Sequence, residues 1–244
     1  MATRDEILVE LGLAPVWRLR GGRRGAAPAS TEFAPDANRD IPPPVSARVD
    51  RRHARIASLE WDALVADISA CTACGLCRTR TNAVPGVGDQ QAEWLFVGEA
   101  PGADEDARGE PFVGQAGKLL DSMLAALGLQ RRNAVYIANV LKCRPPGNRA
   151  PEPLEVDACK PYLDRQIALL APKLIVALGK SAATTLLGTE ASIASLRGRV
   201  HRYAGRPLVV TYHPAYLLRN LPDKAKAWED LLFARRTLRE AQGA

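Results

Sequence analysis

Four short apolar runs recur along the chain from residue 93 onward, and helical patterns separate them. The runs have the length and composition of buried strands, and they cover residues 93–98, 134–141, 173–178 and 207–212. Apolar residues recur at helical spacing over 61–70, 115–127, 152–170, 180–187 and 222–241. Strands that alternate with helices are typical of a mostly parallel sheet covered on both faces. We therefore expect an α/β fold with three layers, α/β/α, around a central four-stranded, mostly parallel sheet.

The N-terminal part of the chain lacks this alternation. Residues 18–55 are rich in Arg, Ala, Pro and Gly, contain three consecutive prolines, and show no apolar period. Such a composition is typical of a flexible linker, although residues 4–13 could form one short amphipathic helix. We predict that residues 1–58 form a mostly disordered extension and that residues 59–244 form the folded domain.

A long glycine-rich connection follows the first apolar run. Residues 98–117 read GEAPGADEDARGEPFVGQAG and lie between a predicted strand and a predicted helix. Connections of this length in a compact domain are usually functional or disordered, and open α/β sheets bind ligands beyond the carboxyl ends of their strands. The connection is therefore a candidate ligand site, with Glu99 and Phe112 as candidate contacts, although Phe112 could equally be a core residue.

Two further polar residues close predicted strands. Asn139 ends the second run and His213 follows the fourth, so both should lie near Glu99 at one edge of the sheet. A side-chain amide carries a donor and an acceptor, which suits it to read the edge of a nucleobase. Taken singly, Asn139 could be a capping residue and His213 a structural one; together with Glu99 they form a candidate site.

The segment Gly179-Lys180-Ser181 looks like part of a phosphate-binding loop, because it follows a strand and precedes a helix. That motif requires a glycine five residues before the second one, and position 174 is Leu. The sequence therefore argues against a nucleotide-hydrolysing enzyme.

Charge and hydropathy narrow the function further. The formal net charge is +6 and the pI about 9.2, which is compatible with a polyanionic partner. No apolar run approaches the roughly 20 residues that a membrane-spanning helix needs. The first ten residues include acids where a signal peptide would be basic and then apolar. We expect a cytoplasmic protein without a membrane partner.

Five cysteines suggest a metal centre. Three are spaced C-x2-C-x2-C, and two more lie far downstream, at positions 71, 74, 77, 143 and 159. Four thiolates would suit either zinc or an iron–sulfur cluster. The spacing does not choose between these metals, nor does it say which of the first three cysteines is spare. Cys143 and Cys159 could also be ordinary small core residues.

Several of these segments, taken in order, resemble the iron–sulfur uracil-DNA glycosylases, the thermostable class often called family 4. The matching pieces are CTAC (71–74), GVGD (86–89), GEAPG (98–102), GEPFVGQAGKLL (109–120), YIANVLKCRPPGNRAPEP (136–153), Cys159, ALGKSA (177–182) and HPAYLL (213–218). The resemblance covers residues 60–240 and leaves the N-terminal extension outside it.

The resemblance implies the uracil-DNA glycosylase fold and a structural [4Fe–4S] cluster. The implied cluster ligands are Cys71, Cys74, Cys143 and Cys159, with Cys77 as the spare cysteine. The implied uracil pocket consists of Glu99 and Ala100 in the first motif, Phe112 stacking on the base, Asn139 on its polar edge, and His213 in the second motif.

The implied activity is to flip uracil out of DNA and hydrolyse its N-glycosidic bond, which leaves an abasic site for base excision repair. Glu99, Asn139 and His213 are the candidate catalytic residues. Ala100 stands where family 1 enzymes carry a water-positioning Asp, so the sequence assigns that role to no residue. The candidate DNA contacts are Leu218, as a wedge into the base stack, and basic residues on the flanking phosphates, chiefly Arg144, Arg149 and Arg219, with Arg197 and Arg199.

Three alternatives remain open at this point. The first is a relative that traps uracil-DNA covalently, which would carry an extra basic loop with a histidine after the second strand. This chain reads KCRPPGNRAPEP there, with no histidine and no insertion, so the sequence disfavours this alternative. A non-catalytic iron–sulfur module and a zinc-bound structural domain are the other two. The expected partner is uracil-containing DNA, single- or double-stranded. The protein is expected to be a monomer, and its N-terminal extension could contact a repair or replication partner.

Overall fold

The computed structural model describes residues 45–243 together with Glu6, Val9 and Glu10. Those three residues are helical; the rest of the helix predicted over 4–13, and most of the predicted linker, lie outside the described residues. The described residues from Val45 onward belong to one compact unit.

A six-stranded sheet forms the middle layer. Its strands are β1 (Val87–Gly88), β2 (Trp94–Gly98), β3 (Val135–Asn139), β4 (Leu174–Leu178), β5 (His201–Tyr203) and β6 (Arg206–Thr211). The order across the sheet is β1-β3-β2-β4-β6-β5. The four central strands are parallel, as predicted, and short antiparallel strands flank them at both edges. The sequence did not predict β1 and β5, because two or three residues are too few to show a period.

Nine helices connect and cover these strands in the part of the chain from Val45 to Gly243. They are α1 (Val45–Ala57), α2 (Trp61–Ala70), α3 (Ala103–Arg108), α4 (Gln115–Ala126), α5 (Pro153–Leu170), α6 (Lys180–Leu187), α7 (Ile193–Leu196), α8 (Pro214–Leu217) and α9 (Asp223–Gly243). Short 3-10 turns occupy Gly75–Arg78 and Pro146–Asn148. Within these described residues, no helix is long and apolar enough to cross a membrane.

The core lies in two layers, one on each face of the sheet. Leu95 and Val97 of β2 pack into a cluster with residues of α1, α2, α5 and α6, while Trp94 and Phe96 face a second cluster with α4 and α9. Successive strand residues point to opposite faces, and β2, β3 and β4, which have a cluster on each side, are buried throughout. This burial explains why they appear in the sequence as continuous apolar runs.

The folded unit begins earlier than the boundary predicted at residue 59. Helix α1 falls inside the predicted linker, and Ile56 in it is fully buried. Arg55 donates through Nη2 to Asp67 Oδ2 of α2, at 3.0 Å. Most residues of α1 are charged or small, and among its described side chains, from Val49 onward, only Ile56 is a fully buried apolar residue, so the helix shows no period in the sequence.

The register of the parallel strands fixes the geometry of the site. Gly98 of β2 is paired with Asn139 of β3, and Leu178 of β4 is paired with Thr211 of β6. The chain therefore leaves all four strands at one edge of the sheet, and the segments that follow them converge there.

Candidate functional site

A pocket of about 470 Å³ opens at the carboxyl ends of the four parallel strands. Its lining includes Glu99, Ala100, Pro101, Gly102, Glu105, Phe112, Ala116, Asn139, Pro145, Asn148, Arg149, His213, Ala215, Tyr216 and Arg219. The five residues expected to form a base pocket all lie in this wall. Sequence reasoning gave no role to Glu105, Asn148 and Tyr216, although Asn148 and Tyr216 lie inside matched segments and Glu105 lies in the glycine-rich connection.

Asn139 lies at the end of β3 with only 2% of its surface exposed. Its side-chain oxygen Oδ1 is buried and meets no hydrogen-bond donor from the described part of the chain. Buried polar atoms are nearly always paired, and an unpaired one costs free energy. An orphaned acceptor in a pocket wall therefore indicates a ligand that donates a hydrogen bond to it.

Gly98 makes room for this arrangement. A Cβ atom on Gly98 would lie 2.4 Å from Asn139 Oδ1 and 2.6 Å from Phe112 Cζ. Both distances are below any normal contact. The glycine that ends β2 is therefore required by the close approach of the amide and the ring.

Phe112 forms the apolar wall of the pocket. It is 5% exposed, and its ring centroid lies 5.4 Å from that of His213 with the planes 29° apart. Its φ of 55° is in the left-handed region, which is uncommon for a bulky residue. The surrounding chain must therefore hold this backbone conformation in place.

His213 follows β6 and presents one ring nitrogen to the pocket. Its Nδ1 accepts a hydrogen bond from the backbone N–H of Ala215 at 3.1 Å, so in the neutral ring the proton is on Nε2. Burial, with a smaller contribution from the nearby Arg219, lowers the pKa of His213 to about 4. The side chain is thus a neutral Nε2–H donor at physiological pH.

The segment that resembles a phosphate-binding loop supports the pocket in another way. A Cβ on Gly179 would lie 2.8 Å from the Cβ of His213, so this glycine lets the histidine approach. Ser181 donates a hydrogen bond to Glu99, which partly offsets the burial that raises the pKa of the Glu99 carboxyl.

The candidate DNA contacts divide into two groups. Arg219 lines the pocket, and Leu218 beside it is 42% exposed, a position that suits a wedge. Arg149 also lines the pocket, but its guanidinium pairs with Glu155, with Nη2 and Oε1 2.6 Å apart. Arg144 donates through Nε to Asn148 Oδ1 at 2.7 Å.

Arg197 is engaged elsewhere. Its Nε lies 2.6 Å from Asp230 Oδ2, both side chains are largely buried, and its guanidinium lies over the ring of Tyr212. Its charge is therefore already paired inside the fold, and its suggested role as a phosphate contact stays a prediction.

All five cysteines line one small cavity next to the pocket. Cys143 and Cys159 are buried, while Cys71, Cys74 and Cys77 are partly buried, and none forms a disulfide. Ile68, Ala73, Lys142, Ala158 and Tyr162 complete the lining. The convergence does not distinguish Cys77 from the other four.

Three basic residues surround the sulfur atoms. Arg80 donates to Cys143 Sγ at 2.9 Å, and Arg52 lies 3.7 Å from Cys71 Sγ. The backbone N–H of Lys142 donates to Cys159 Sγ at 3.2 Å. Burial raises the pKa of Cys159 to about 12, so without a metal its neutral thiol is favoured.

The groups around the cysteine cavity have the chemistry of a metal-binding donor set. Several thiols, with N–H donors and cationic neighbours aimed at them, fit a soft, negatively charged thiolate centre. Within residues 45–243, no three His, Cys, Asp or Glu side chains form a group that would hold a single metal ion. A four-iron cluster held by four cysteines binds one thiolate per iron, so its ligands are spaced further apart than those of a single ion.

Comparison with known proteins gives one consistent result. A model of the uracil DNA glycosylase superfamily matches residues 85–232, more than half of the chain. A type-4 uracil-DNA glycosylase of Archaeoglobus fulgidus is 52% identical over 165 residues, which cover 64% of this chain and 82% of that protein. Similar proteins of the same name occur in Sulfurisphaera tokodaii (48% over 173 residues; 67% and 78%) and Thermotoga maritima (47% over 155 residues; 63% and 80%).

Proposed function

The chain belongs to the uracil-DNA glycosylase superfamily, and from this premise we infer that it acts as a type-4 enzyme that removes uracil from DNA. Such an enzyme hydrolyses the N-glycosidic bond between uracil and deoxyribose. The abasic site that remains is the substrate for the later steps of base excision repair.

The observation that carries the proposal for the site is the orphaned Oδ1 of Asn139 beside the ring of Phe112. Uracil presents an N3–H donor next to its O4 acceptor, and a side-chain amide can pair with both. Cytosine presents the opposite pattern, so it would leave both groups of Asn139 unpaired. A site built for such pairing rejects the mismatched base strongly.

The proposed reaction begins with base flipping, because the glycosidic bond is out of reach inside a duplex. Uracil stacks on Phe112, and the exposed Leu218 fills the gap in the stack. Arg219, at the pocket rim, contacts a flanking phosphate.

Bond cleavage places negative charge on the leaving base. The C1′–N1 electron pair leaves with uracil, and the charge is shared with O2. The Nε2–H of neutral His213 donates to that oxygen. A water oxygen then bonds to C1′ and gives up a proton, and the departed uracil anion takes up a proton from solvent. Glu99, half-buried in the pocket wall, is the third proposed catalytic residue.

We propose that the cysteine cavity holds a [4Fe–4S] cluster on Cys71, Cys74, Cys143 and Cys159. The family resemblance and the basic residues around these sulfurs support this assignment. The cluster supplies no chemistry to the reaction. Its role is structural: it joins the segment after α2 to the segment after β3 and to α5.

The cluster assignment predicts a difference between two cysteine variants. Cys143→Ala should lose most of its iron, because a cluster ligand is missing, whereas Cys77→Ala should keep about four irons and four sulfides per chain. Iron and acid-labile sulfide analysis of the purified proteins measures this directly. Zinc in place of iron, or equal iron loss in both variants, would contradict the assignment.

The pocket geometry predicts the effect of filling the space at Gly98. Gly98→Ala should lower kcat/KM for uracil excision by about tenfold, because the new methyl would lie only 2.4 Å from Asn139 Oδ1 and 2.6 Å from Phe112 Cζ, so the amide and the ring must move away from their positions in the pocket. Gly128→Ala is the control: nothing is found within 4 Å of its Cβ position, although a φ of 77° would strain an alanine there. Equal activity losses in the two variants would show that a general disturbance of the fold, and not the pocket, causes the effect.

Excision from a labelled oligonucleotide with one deoxyuridine tests the function. Alkali should cut the product strand at that position and leave a thymine-containing control intact. A protein–DNA band that survives denaturation would instead indicate covalent trapping. No cleavage by protein with its full iron content would indicate a non-catalytic module. The proposed working form is a cytoplasmic monomer, whose mass light scattering would measure.

A further inference from the structure

We propose that Glu105 and Arg131 are a pair of positioning residues that hold the backbone of Phe112 from two sides and so form the stacking platform of the base pocket. This inference rests on the function proposed above and assigns roles to two residues outside the sequence motifs already discussed. Neither side chain needs to touch the reacting atoms.

Glu105 binds the backbone N–H groups that follow Phe112. It lies in α3, and its Oε1 accepts hydrogen bonds from the backbone N–H groups of Val113 at 2.9 Å and Gly114 at 3.1 Å. Its Oε2 accepts from the N–H of Gly102 at 3.0 Å. One carboxylate therefore joins the start of the glycine-rich connection to the segment immediately after the stacking residue. Charge-assisted bonds of this kind are among the strongest hydrogen bonds in proteins.

Arg131 binds the backbone carbonyls that precede these amides. It lies in the segment before β3, with 18% of its side chain exposed. Its Nη1 donates to the carbonyl of Pro111 at 2.9 Å, and its Nη2 donates to the carbonyl of Phe112. Its Nε donates to Asp121 of α4, which fixes the plane of the guanidinium. The rigid fork of Arg can engage two neighbouring carbonyls at once, which a Lys cannot do in the same plane.

The unusual backbone conformation of Phe112 explains why the contacts from Glu105 and Arg131 are needed. Phe112 has a φ of 55°, and bulky residues keep such a conformation only where their surroundings determine it. Gly117 must lack a side chain, because a Cβ there would lie 1.7 Å from the carbonyl oxygen of Phe112. The carbonyl is thus enclosed between Gly117 and Arg131, and the following amides are fixed by Glu105.

Loss of either contact has a specific consequence. The backbone at Phe112 is released toward the common right-handed or extended regions, and its ring turns away from the space beside Asn139. Uracil then loses its stacking surface while the sheet and the cysteine cavity stay intact. The expected change is weaker binding of the base, which a loss of overall stability would not produce at temperatures well below unfolding.

The test compares two adjacent arginines. Arg131→Gln should raise both KM and the inhibition constant for free uracil by about tenfold. Arg132→Gln is the control, because Arg132 is 65% exposed and its guanidinium pairs with the half-buried Glu110, not with the backbone beside Phe112. It should change both constants by less than about twofold. Arg131→Lys should not restore uracil inhibition, because one ammonium group cannot replace the fork.

Glu105→Gln provides a second, independent variant. Its amide oxygen can still accept from Val113 and Gly114, but its NH₂ group would face the N–H of Gly102, so an intermediate rise in the uracil inhibition constant is expected. If Arg131→Gln does not fold, Glu105→Gln still tests the proposal. Unchanged uracil inhibition in well-folded Arg131→Gln or Glu105→Gln, or an equal change in Arg132→Gln, would overturn the proposal. A wild-type protein without uracil release would instead overturn the proposed function itself.

Discussion

Asn139→Ala is expected to lower kcat/KM for uracil excision by roughly a thousandfold while leaving the protein at least as stable as the wild type. Two hydrogen bonds to the base are lost, each worth about 1–3 kcal/mol in a buried site. The truncation also removes a buried acceptor that has no partner among the described residues, so the free energy of unfolding should stay equal or rise. Single-turnover excision assays and thermal unfolding measure the two effects.

Asn133→Ala is the matched control for this variant. Asn133 precedes β3 at the opposite end from Asn139, and it is exposed. It should keep wild-type excision. If Asn139→Ala kept its activity, or lost activity only in proportion to a loss of folded protein, the assignment of base reading to Asn139 would be wrong.

His213→Ala is expected to lower the single-turnover rate by about a hundredfold or more, because one donor to a developing oxyanion is typically worth about 3 kcal/mol. The affinity for free uracil should change much less, since the charge on O2 develops only as the bond breaks. Excision rates and uracil inhibition constants, measured on the same preparation, separate the two effects.

The protonation state of His213 gives a second test. Because its pKa in the folded protein is lowered to about 4, the ring stays neutral from pH 8 down to pH 5, and the excision rate should show no inflection near pH 6.5 that depends on His213. The neighbouring charges, Arg219 and Glu105, act in opposite directions on this pKa. An inflection near 6.5 that disappears in His213→Ala would contradict a neutral donor.

The same pKa predicts how stability depends on pH. Between pH 6.5 and pH 4 the unfolded chain binds a proton at His213 that the folded chain does not, so this residue lowers the stability as the pH falls through that range. His213→Ala should therefore lose less stability than the wild type between pH 6.5 and pH 4. Denaturant unfolding at several pH values measures this difference.

The sequence predicted those strands and helices whose buried side chains form an apolar pattern within the element itself. The central strands are buried on both faces and therefore appear as apolar runs, and the predicted helix over 61–70 matches α2. Asn139 and His213 could be placed at one edge because parallel strands end together. The edge strands β1 and β5 and the charged helix α1 carry too few buried apolar positions to be seen in this way.

The parts that the sequence could not predict depend on contacts between distant segments. Glu105 and Arg131 lie 26 positions apart, yet both act on the backbone beside Phe112. Arg197 and Arg219 are both basic residues near the C-terminal motif, but one is paired with a buried acid and the other lines the pocket. Only the folded arrangement distinguishes such residues, because their chemistry is the same and their partners differ.

The most direct test of the account is a crystal structure of the protein soaked with free uracil, the reaction product. The base should lie against the ring of Phe112, with its N3–H within hydrogen-bond distance of Asn139 Oδ1 and its O2 facing His213 Nε2. Uracil bound with Asn139 Oδ1 still unpartnered, or bound only outside this pocket, would contradict it.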